Sequence, residues 1–304
     1  MLNATLINYS NLLLFTDALS WVNLFYGIFG IVCNVFAVCV LVNPKFFCFA
    51  FVTYIINILI ADIGSGIVLT IYWNFLFYKN NGKIGYCNIL NFLHHATYSV
   101  SNLSLISFAL ERFLILNFPI KYRAFSRRTV LILMVNAWVV SVIVNIPSYY
   151  KYEEISTENP TLCRVVTLDG VITLAISIIE IGWEWALPSA ILIILNGGIL
   201  FALFRRKSSS KSQNSNESGI AKALVISCFV QVTCPIPRSA MSLLKRHDIW
   251  QIPTNPYLAI LSTFLITSYS INSFLFMISW SLLKNHYKHI FSQIIKIICC
   301  RKLK

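Results

Sequence analysis

The chain has 304 residues, of which 57% are hydrophobic and only 12% are charged, and its formal net charge is +13. With a mean hydropathy of +0.72, it is too apolar for a soluble domain of this length and indicates an integral membrane protein. We attribute the positive charge to the membrane surface, where it meets anionic lipid and an acidic partner. No nucleic-acid partner is expected.

Seven apolar stretches, each long enough for a tilted spanning helix, follow one another along the chain. They cover residues 20–42, 47–78, 86–117, 129–148, 168–204, 219–244 and 256–283, and we number them spans one to seven. The alternating pattern typical of a transmembrane barrel is absent from the sequence, so the spans are predicted to be helices. The predicted fold is an all-α membrane protein: a seven-transmembrane helix bundle over 20–283, after an N-terminal tail at 1–19 and before a short cytoplasmic amphipathic helix and tail at 284–304.

The basic residues predict the orientation of this bundle. With the N-terminus outside, one side collects Lys45, the basic residues of 121–128 and 205–211, and those of the tail, whereas the other side mixes few basic with acidic residues. Basic loops stay inside, which favours a multi-pass plasma-membrane protein with an extracellular N-terminus and a cytoplasmic C-terminus. The first twenty residues lack the features of a signal peptide. Glycosylation sequons at Asn3 and Asn8 fall on the extracellular side.

The nine cysteines divide into three groups. Five are expected to be free thiols because they lie within or beside apolar helices: Cys33, Cys39, Cys48, Cys228 and Cys234. Cys87 and Cys163 both fall on the extracellular side, where an oxidising environment favours a disulfide between them. Cys299 and Cys300 follow a basic and aromatic segment, so they are candidates for lipidation, the alternative being two unmodified thiols.

Motifs that carry enzymatic chemistry are absent from the sequence. It contains no HExxH, no paired CxxC and no GxSxG motif, and His94-His95 alone is too little for a metal site. An enzyme is therefore not expected, and neither is a cofactor beyond a structural ion.

Two opposite charges, Glu111 and Arg112, stand at the end of the third apolar span, followed by Phe113. As a helix, the segment from Cys87 to Arg112 would be roughly 37 Å long, which exceeds the bilayer's hydrocarbon core of about 30 Å. Cys87 is therefore predicted at one water boundary and Arg112 at the other.

Several short motifs together resemble those of the rhodopsin-like (class A) G-protein-coupled receptors over essentially the whole chain. Each match alone is weak, but their order and spacing together are a strong signal. Glu111-Arg112-Phe113 resembles the Asp/Glu-Arg-Tyr motif. The other matching positions are Asn34 in span one, Leu59-Ile60-Ala61-Asp62 in span two, Pro119 and Tyr122 in the following loop, Trp138 in span four, Pro188 and Pro237 in spans five and six, and Asn272-Ser273 in span seven.

The chain departs from the family pattern at several positions. The Cys-Trp-x-Pro segment of span six appears as Cys234-Pro235-Ile236-Pro237, which predicts a strong kink because a second backbone donor is lost. The Asn-Pro-x-x-Tyr segment of span seven appears as Phe276-Met277-Ile278-Ser279-Trp280, and Asn196 replaces the usual tyrosine of span five. This divergence is similar to that of nematode-type serpentine chemoreceptors.

Polar residues within the spans are costly in lipid and predict two sites. By the resemblance, one group converges at mid-bundle on a candidate sodium site, since a hard cation needs several oxygen ligands. Its members are Asp62, Ser101, Asn34, Asn272 and Ser273. The alternative is an interhelical hydrogen-bond network without an ion, because Phe276 replaces the usual asparagine.

The second group would border a ligand pocket nearer the outside: His94, His95, Glu180, Glu184 and Arg238. Glu180 and Glu184 repel each other if both are ionised, so His94, Arg238 or a ligand is expected to compensate them. The alternative is an internal salt-bridge set without a ligand. Because His94 stands where amine receptors have aspartate and Ser270 where opsins have lysine, neither an aminergic nor a retinal ligand is favoured.

The resemblance implies a receptor that binds an extracellular ligand of unknown chemistry, chemosensory or peptide-type, and activates a heterotrimeric G protein by a shift between two helix arrangements. Arg112 would report the shift, held at rest by Glu111 and by Glu217 at the foot of span six. A small transporter or channel is the first alternative, but internal repeats are not visible in the sequence. A non-signalling membrane adaptor is the second.

Overall fold

A computed structural model of the protein describes residues 2–70, 87–121, 125–150, 152–155, 162–165, 179–209, 215–237 and 254–279. In chain order the elements are α1 Leu2–Leu41, α2 Pro44–Phe47, α3 Ala50–Leu69, α4 Cys87–Asn117, α5 Arg127–Val144, α6 Ile146–Tyr149, β1 Tyr152–Ile155, β2 Leu162–Val165, a π-helical segment Ile179–Ala186, α7 Leu187–Ser209, α8 Ser215–Thr233 and α9 Thr254–Ser279. The prediction of a seven-helix membrane bundle is confirmed: each predicted span corresponds to one of α1, α3, α4, α5, α7, α8 and α9.

Within the described part of the chain, five helices are long and apolar enough to cross a membrane, namely Trp21–Leu41, Ala50–Leu69, Asn88–Asn117, Arg127–Val144 and Ile181–Arg205. A sixth, Gly219–Thr233, is apolar but shorter. The outward faces of these helices carry many exposed large hydrophobic side chains, among them Phe25, Ile132 and Phe201. This is the surface expected of a bundle that has lipid as its solvent.

Helix α4 runs through the centre of the bundle and contacts α3, α5, α7 and α8. We call the end of the bundle where α4 begins the Cys87 end, and the end where it finishes the Arg112 end. Helix α9 closes the bundle against α1, α3 and α8. Because α4 contacts helices on several sides, its polar side chains can form hydrogen bonds with most of the other helices of the bundle.

Two apolar clusters divide the core along the bundle. The larger lies toward the Arg112 end and includes the stacked rings of Tyr54 and Phe108, 5.4 Å apart, with Phe276 packed against Phe108. The smaller lies toward the Cys87 end and consists of Leu69, Tyr98, Ile266 and Tyr269. Polar groups occupy the level between these two clusters.

Glycines allow two pairs of helices to approach closely. A Cβ atom on Gly30 of α1 would collide with Ser270 of α9, and one on Gly198 of α7 would collide with the ring of Phe113 on α4. Small residues at helix contacts are typical of membrane bundles, where association depends on close packing. Residues 30 and 198 therefore fix the positions of α1 and α7.

The loop on the Arg112 side is held by local capping and by one aromatic contact. Ser126 Oγ accepts a hydrogen bond from the Thr129 backbone N–H at 3.1 Å, which caps α5. The guanidinium of Arg127 lies 3.8 Å from the centre of the Phe47 ring. This cation–π contact ties the start of α5 to α2.

Three features of the fold were not predicted. Short helices α2 and α6 precede α3 and follow α5. An antiparallel hairpin pairs Tyr152 with Val165 and Glu154 with Cys163. The loop between spans four and five therefore contains two β-strands, whereas the other described elements are helices. Helix α1 also continues without a break from Leu2 through the predicted tail, 1–19, for 40 residues in all.

Candidate functional site

Helix α4 carries polar side chains at three levels. His94 and His95 lie near the Cys87 end, Ser101 and Asn102 near the middle, and Glu111 near the Arg112 end, and all five are at least nine-tenths buried. At about 1.5 Å per residue, His95 and Glu111 are roughly 24 Å apart along the helix axis. One helix therefore links both ends of the bundle.

A buried histidine–carboxylate pair joins α4 to the π-helical segment. His95 Nδ1 lies 2.6 Å from Glu184 Oε1 and 2.8 Å from Glu184 Oε2, and the two side chains are 10% and 9% exposed. The short distances to both carboxylate oxygens make this a charge-assisted contact. We predicted that His94, Arg238 or a ligand would compensate Glu180 and Glu184. The structure shows the neighbouring His95 as a partner of Glu184, whereas Arg238 and the side chain of Glu180 lie outside the described residues.

His94 points to a different neighbourhood. Its ring stacks on Tyr98 at 6.4 Å and meets Tyr269 edge to face at 6.3 Å, and the two tyrosine rings also meet edge to face. Consecutive helical residues are separated by about 100° around the axis, so His95 points toward the π-helical segment and His94 toward α9. Together the two histidines line an aromatic and polar region near the Cys87 end.

Asp62 forms the polar centre at mid-bundle. Ser101 Oγ donates to Asp62 Oδ1 at 2.8 Å, and Asn272 Nδ2 donates to Asp62 Oδ2 at 2.7 Å. Both carboxylate oxygens are therefore engaged, and α3, α4 and α9 are tied together in the apolar interior. Of the predicted group, Asp62, Ser101 and Asn272 do converge.

The other two members of that group bond to the backbone of α9. Ser273 Oγ donates to the Ser270 carbonyl at 3.1 Å, and Asn34 Nδ2 donates to the Tyr269 carbonyl at 3.0 Å. Among the described residues, Asn34 Oδ1 and Asn272 Oδ1 are buried without a hydrogen-bond partner. Two free amide oxygens in the same layer as a carboxylate fit the oxygen chemistry of a hard cation.

The Arg112 end contains a tethered carboxylate. Glu111 Oε1 accepts a hydrogen bond from the Phe125 backbone N–H at 2.8 Å, whereas Glu111 Oε2 is 4.0 Å from Arg112 Nη2. The guanidinium of Arg112 lies over the rings of Phe51 and Phe108, at 5.1 and 5.3 Å from their centres. Arg112 therefore contacts two aromatic faces as well as the Glu111 carboxylate.

A further chain of hydrogen bonds crosses from α5 to α4. Trp138 Nε1 donates to Asn57 Oδ1 at 3.0 Å, Asn57 Nδ2 donates to Ser104 Oγ at 2.7 Å, and Ser104 Oγ donates to the Val100 carbonyl at 2.6 Å. These bonds satisfy the indole N–H inside the membrane and fix α3 between its neighbours. Trp138 thus has a structural role in this bundle.

Sequence reasoning missed the residues that connect α4 to α8. Asn102 Nδ2 donates to the Glu184 carbonyl at 2.9 Å, and Gln231 Nε2 donates to Asn102 Oδ1 at 3.0 Å. Trp185 Nε1 donates to the Val232 carbonyl at 3.2 Å. An amide in the middle of an apolar span was the available signal, because such a group is costly in lipid unless it is bonded.

Several predicted site residues have side chains outside the described part of the structure. They are Cys87, Cys163, Glu180, Glu217, Arg238, Cys299, Cys300, Asn3 and Asn8. Cys87 begins α4 and Cys163 lies in β2, but their disulfide stays a prediction. The predicted free state of Cys33, Cys39, Cys48, Cys228 and Cys234 is confirmed.

A comparison with protein families identifies the chain. Residues 33–278, well over half of its length, match the family described as 7 transmembrane receptor (rhodopsin family). Among curated proteins, none matches the chain. The matched region extends from the end of α1 almost to the end of α9, so it includes all three polar levels of α4. The chain belongs to the rhodopsin family of seven-transmembrane receptors.

Proposed function

We propose that the protein is a G-protein-coupled receptor, which binds an extracellular ligand at the Cys87 end and activates a heterotrimeric G protein at the Arg112 end. One observation carries this proposal. Helix α4 bears the buried His95–Glu184 pair near one end and Glu111 with Arg112 near the other. A membrane receptor needs this separation of two chemically different ends joined by one rigid element.

The ligand site is assigned to His94, His95 and Glu184, with Glu180 and Arg238 as further contacts. Burying an ion pair costs several kcal/mol per ion before the pair is formed, so a pair in the membrane is a candidate for function. The tyrosine rings beside His94 add apolar surface. A ligand with a polar group and an aromatic or aliphatic body suits this lining, as chemosensory or peptide ligands do.

The orientation rests on charge. Lys45 and Arg127 lie at the Arg112 end, and the other basic clusters of the sequence fall on the same side of the predicted spans. Basic segments are retained in the cytoplasm. The Cys87 end then faces outward, where the Cys87–Cys163 disulfide and glycans on Asn3 and Asn8 belong, and Cys299 and Cys300 are available for lipid anchoring inside.

G-protein coupling is assigned to Glu111, Arg112 and Phe113, with Glu217 as a second restraint on Arg112. Glu111 is anchored to the loop by the Phe125 N–H, and Arg112 contacts it only at 4.0 Å. A long ion pair supported by two aromatic rings can be exchanged for contacts with a partner. The divergent segment Cys234-Pro235-Ile236-Pro237, which follows α8, favours a receptor of the nematode-type serpentine group.

A sodium ion is proposed as a structural ligand at mid-bundle. Asp62, Ser101 and Asn272 would hold it, with the free oxygen of Asn34 as a further donor. Ser273 would join only if its hydroxyl left the Ser270 carbonyl. When bound, the ion would neutralise the buried Asp62 carboxylate.

The test is nucleotide exchange by purified receptor in lipid nanodiscs with a panel of heterotrimeric G proteins. Arg112→Ala should abolish receptor-stimulated exchange. Lys45→Ala is the matched control, because it removes an exposed basic charge at the same end of the bundle, and it should leave exchange within about two-fold of wild type. Exchange that is equal in wild type and Arg112→Ala for every G protein that the receptor stimulates would contradict the assignment.

A further inference from the structure

Tyr54 of α3 places a hydroxyl group inside the larger apolar cluster, toward the Arg112 end. Its side chain is fully buried, and its ring stacks on Phe108 at 5.4 Å with 16° between the two planes. Among the described residues, the Tyr54 hydroxyl has no hydrogen-bond partner. A phenylalanine would make the same ring contacts without burying a polar atom, and a buried donor without an acceptor is costly. The hydroxyl therefore does not stabilise this arrangement of the helices.

An acceptor without a donor lies in the same buried region. Glu111 is 1% exposed, and its Oε2 atom has no hydrogen-bond partner in the part of the chain that the structure describes. Arg112 Nη2 is 4.0 Å from it, which is beyond hydrogen-bond length. The Tyr54 hydroxyl interacts electrostatically with both of these charged side chains. A donor and an acceptor that complement each other are thus neighbours but are not paired.

Two sets of contacts hold this donor and this acceptor in place. The Tyr54 ring packs on Phe108, which Phe276 of α9 contacts at 6.4 Å. The Glu111 carboxylate is tethered by the hydrogen bond from the Phe125 N–H to its Oε1 atom, at 2.8 Å. Because this tether uses Oε1 alone, Oε2 can exchange one partner for another while the carboxylate stays bound to the loop.

Departure of Arg112 would change what Glu111 requires. The guanidinium lies over the rings of Phe51 and Phe108, at 5.1 and 5.3 Å from their centres, and in the proposed function it leaves them to engage the G protein. Glu111 would then be a buried carboxylate without its cation, which is strongly destabilising. A hydroxyl donor compensates such a charge well, because its hydrogen bond to a carboxylate is short and charge-assisted.

We propose that Tyr54 is a positioning residue for G-protein coupling, whose hydroxyl donates to Glu111 Oε2 once Arg112 has left. The bond forms in the released arrangement alone, so it stabilises that arrangement relative to the resting one. The inference rests on the proposed function, in which Arg112 is exchanged between Glu111 and a G protein. It adds to the coupling machinery a residue of α3 that lies outside the Glu111-Arg112-Phe113 motif.

The bond is tested without ligand or G protein, by a double-variant cycle on the thermal midpoint of detergent-solubilised receptor. Arg112→Ala reproduces the departure of the guanidinium, and Tyr54→Phe removes the hydroxyl but keeps the ring. In the otherwise native receptor, Tyr54→Phe should leave the midpoint unchanged or raise it, because the hydroxyl is unpaired at rest. In the Arg112→Ala background it should lower the midpoint by about 3 °C, the shift expected when a hydrogen bond to a charged group is lost.

Further variants keep the test sharp. Arg112→Met is a second background without the guanidinium, for use if Arg112→Ala yields no folded receptor, and the same 3 °C loss is expected in it. Tyr269→Phe is the matched control: Tyr269 is 2% exposed and belongs to the smaller cluster, so its shift should be equal in every background. Adding Glu111→Leu to Arg112→Ala removes the acceptor, and Tyr54→Phe should then cause no further loss.

An equal loss from Tyr54→Phe in the native and Arg112→Ala backgrounds would overturn the proposal, and so would no loss in either or a loss that persists without Glu111. Coupling is measured separately, by nucleotide exchange. Tyr54→Phe should reduce receptor-stimulated exchange about ten-fold at equal receptor concentration, and unchanged or faster exchange would contradict the role in coupling. If the wild type stimulates no exchange, the proposed function fails by itself, and the midpoints still decide whether the bond forms.

Discussion

The His95–Glu184 pair gives a prediction whose size follows from its burial. His95→Leu leaves the Glu184 carboxylate without its partner in a site where the two side chains are only 10% and 9% exposed. Leaving a buried charge without its partner costs about 3–5 kcal/mol, and the residual exposure favours the lower value of about 3 kcal/mol. Glu184→Met should cost a similar amount, since it leaves His95 alone.

A double variant at residues 95 and 184 distinguishes two causes of destabilisation: an unpartnered buried polar group, and the simple loss of packing contacts. His95→Leu combined with Glu184→Met removes both polar groups and fills the space with apolar atoms, a change that is often nearly neutral. The double variant should therefore be more stable than either single variant. Additivity would instead predict a loss of about 6 kcal/mol, twice the single-site value taken from buried pairs.

The assay is the thermal midpoint of detergent-solubilised receptor, followed by the loss of monodisperse protein. At about 2 °C per kcal/mol for a chain of this size, each single variant should melt roughly 6 °C below wild type and the double variant within about 2 °C of it. His94→Phe, which keeps a ring against Tyr98 and Tyr269, is the neighbouring control and should shift the midpoint by less than about 2 °C. Single-variant shifts below about 2 °C, or additive shifts, would refute the reasoning.

The remaining predictions concern the disulfide and the mid-bundle carboxylate. Peptide mapping of surface-expressed receptor without reduction should show Cys87 linked to Cys163; both thiols free would contradict the pairing. The thermal midpoint should rise with sodium concentration relative to choline chloride at equal ionic strength, because a ligand stabilises the state that binds it, and Asp62→Asn should abolish that rise. Equal midpoints of the wild type in the two salts would favour a hydrogen-bond network without an ion.

The two adjacent histidines show where sequence reasoning stops. The residues His94-His95 and the carboxylate of Glu184 were recognised as costly groups near one membrane boundary. Their pairing depends on the rotation of α4 and on the π-helical segment Ile179–Ala186, in which a wider turn changes the direction of each side chain. Sequence spacing alone does not give that rotation, so the choice of His95 over His94 required the structure.

At the candidate sodium site, too, the sequence predicted part of the arrangement and the structure decided the rest. Asp62 was predicted to be functional because a carboxylate within an apolar span is costly and usually faces a cavity or a polar partner. The structure brings Ser101 and Asn272 to it, while Asn34 and Ser273 donate to carbonyls of α9. A local backbone acceptor competes with a distant carboxylate for each short side chain, and only the packed geometry decides which acceptor it bonds.

The sequence by itself determined the number of spanning helices and the character of the two ends of α4. Lipid forces long apolar segments to satisfy their backbone bonds internally, and charges such as Glu111 and Arg112 are expelled to the boundary. The tertiary structure decided the contacts between helices. Asn102 and Gln231 are separated by 129 positions, and their bond exists because α4 and α8 pack against each other, a contact that local sequence does not encode.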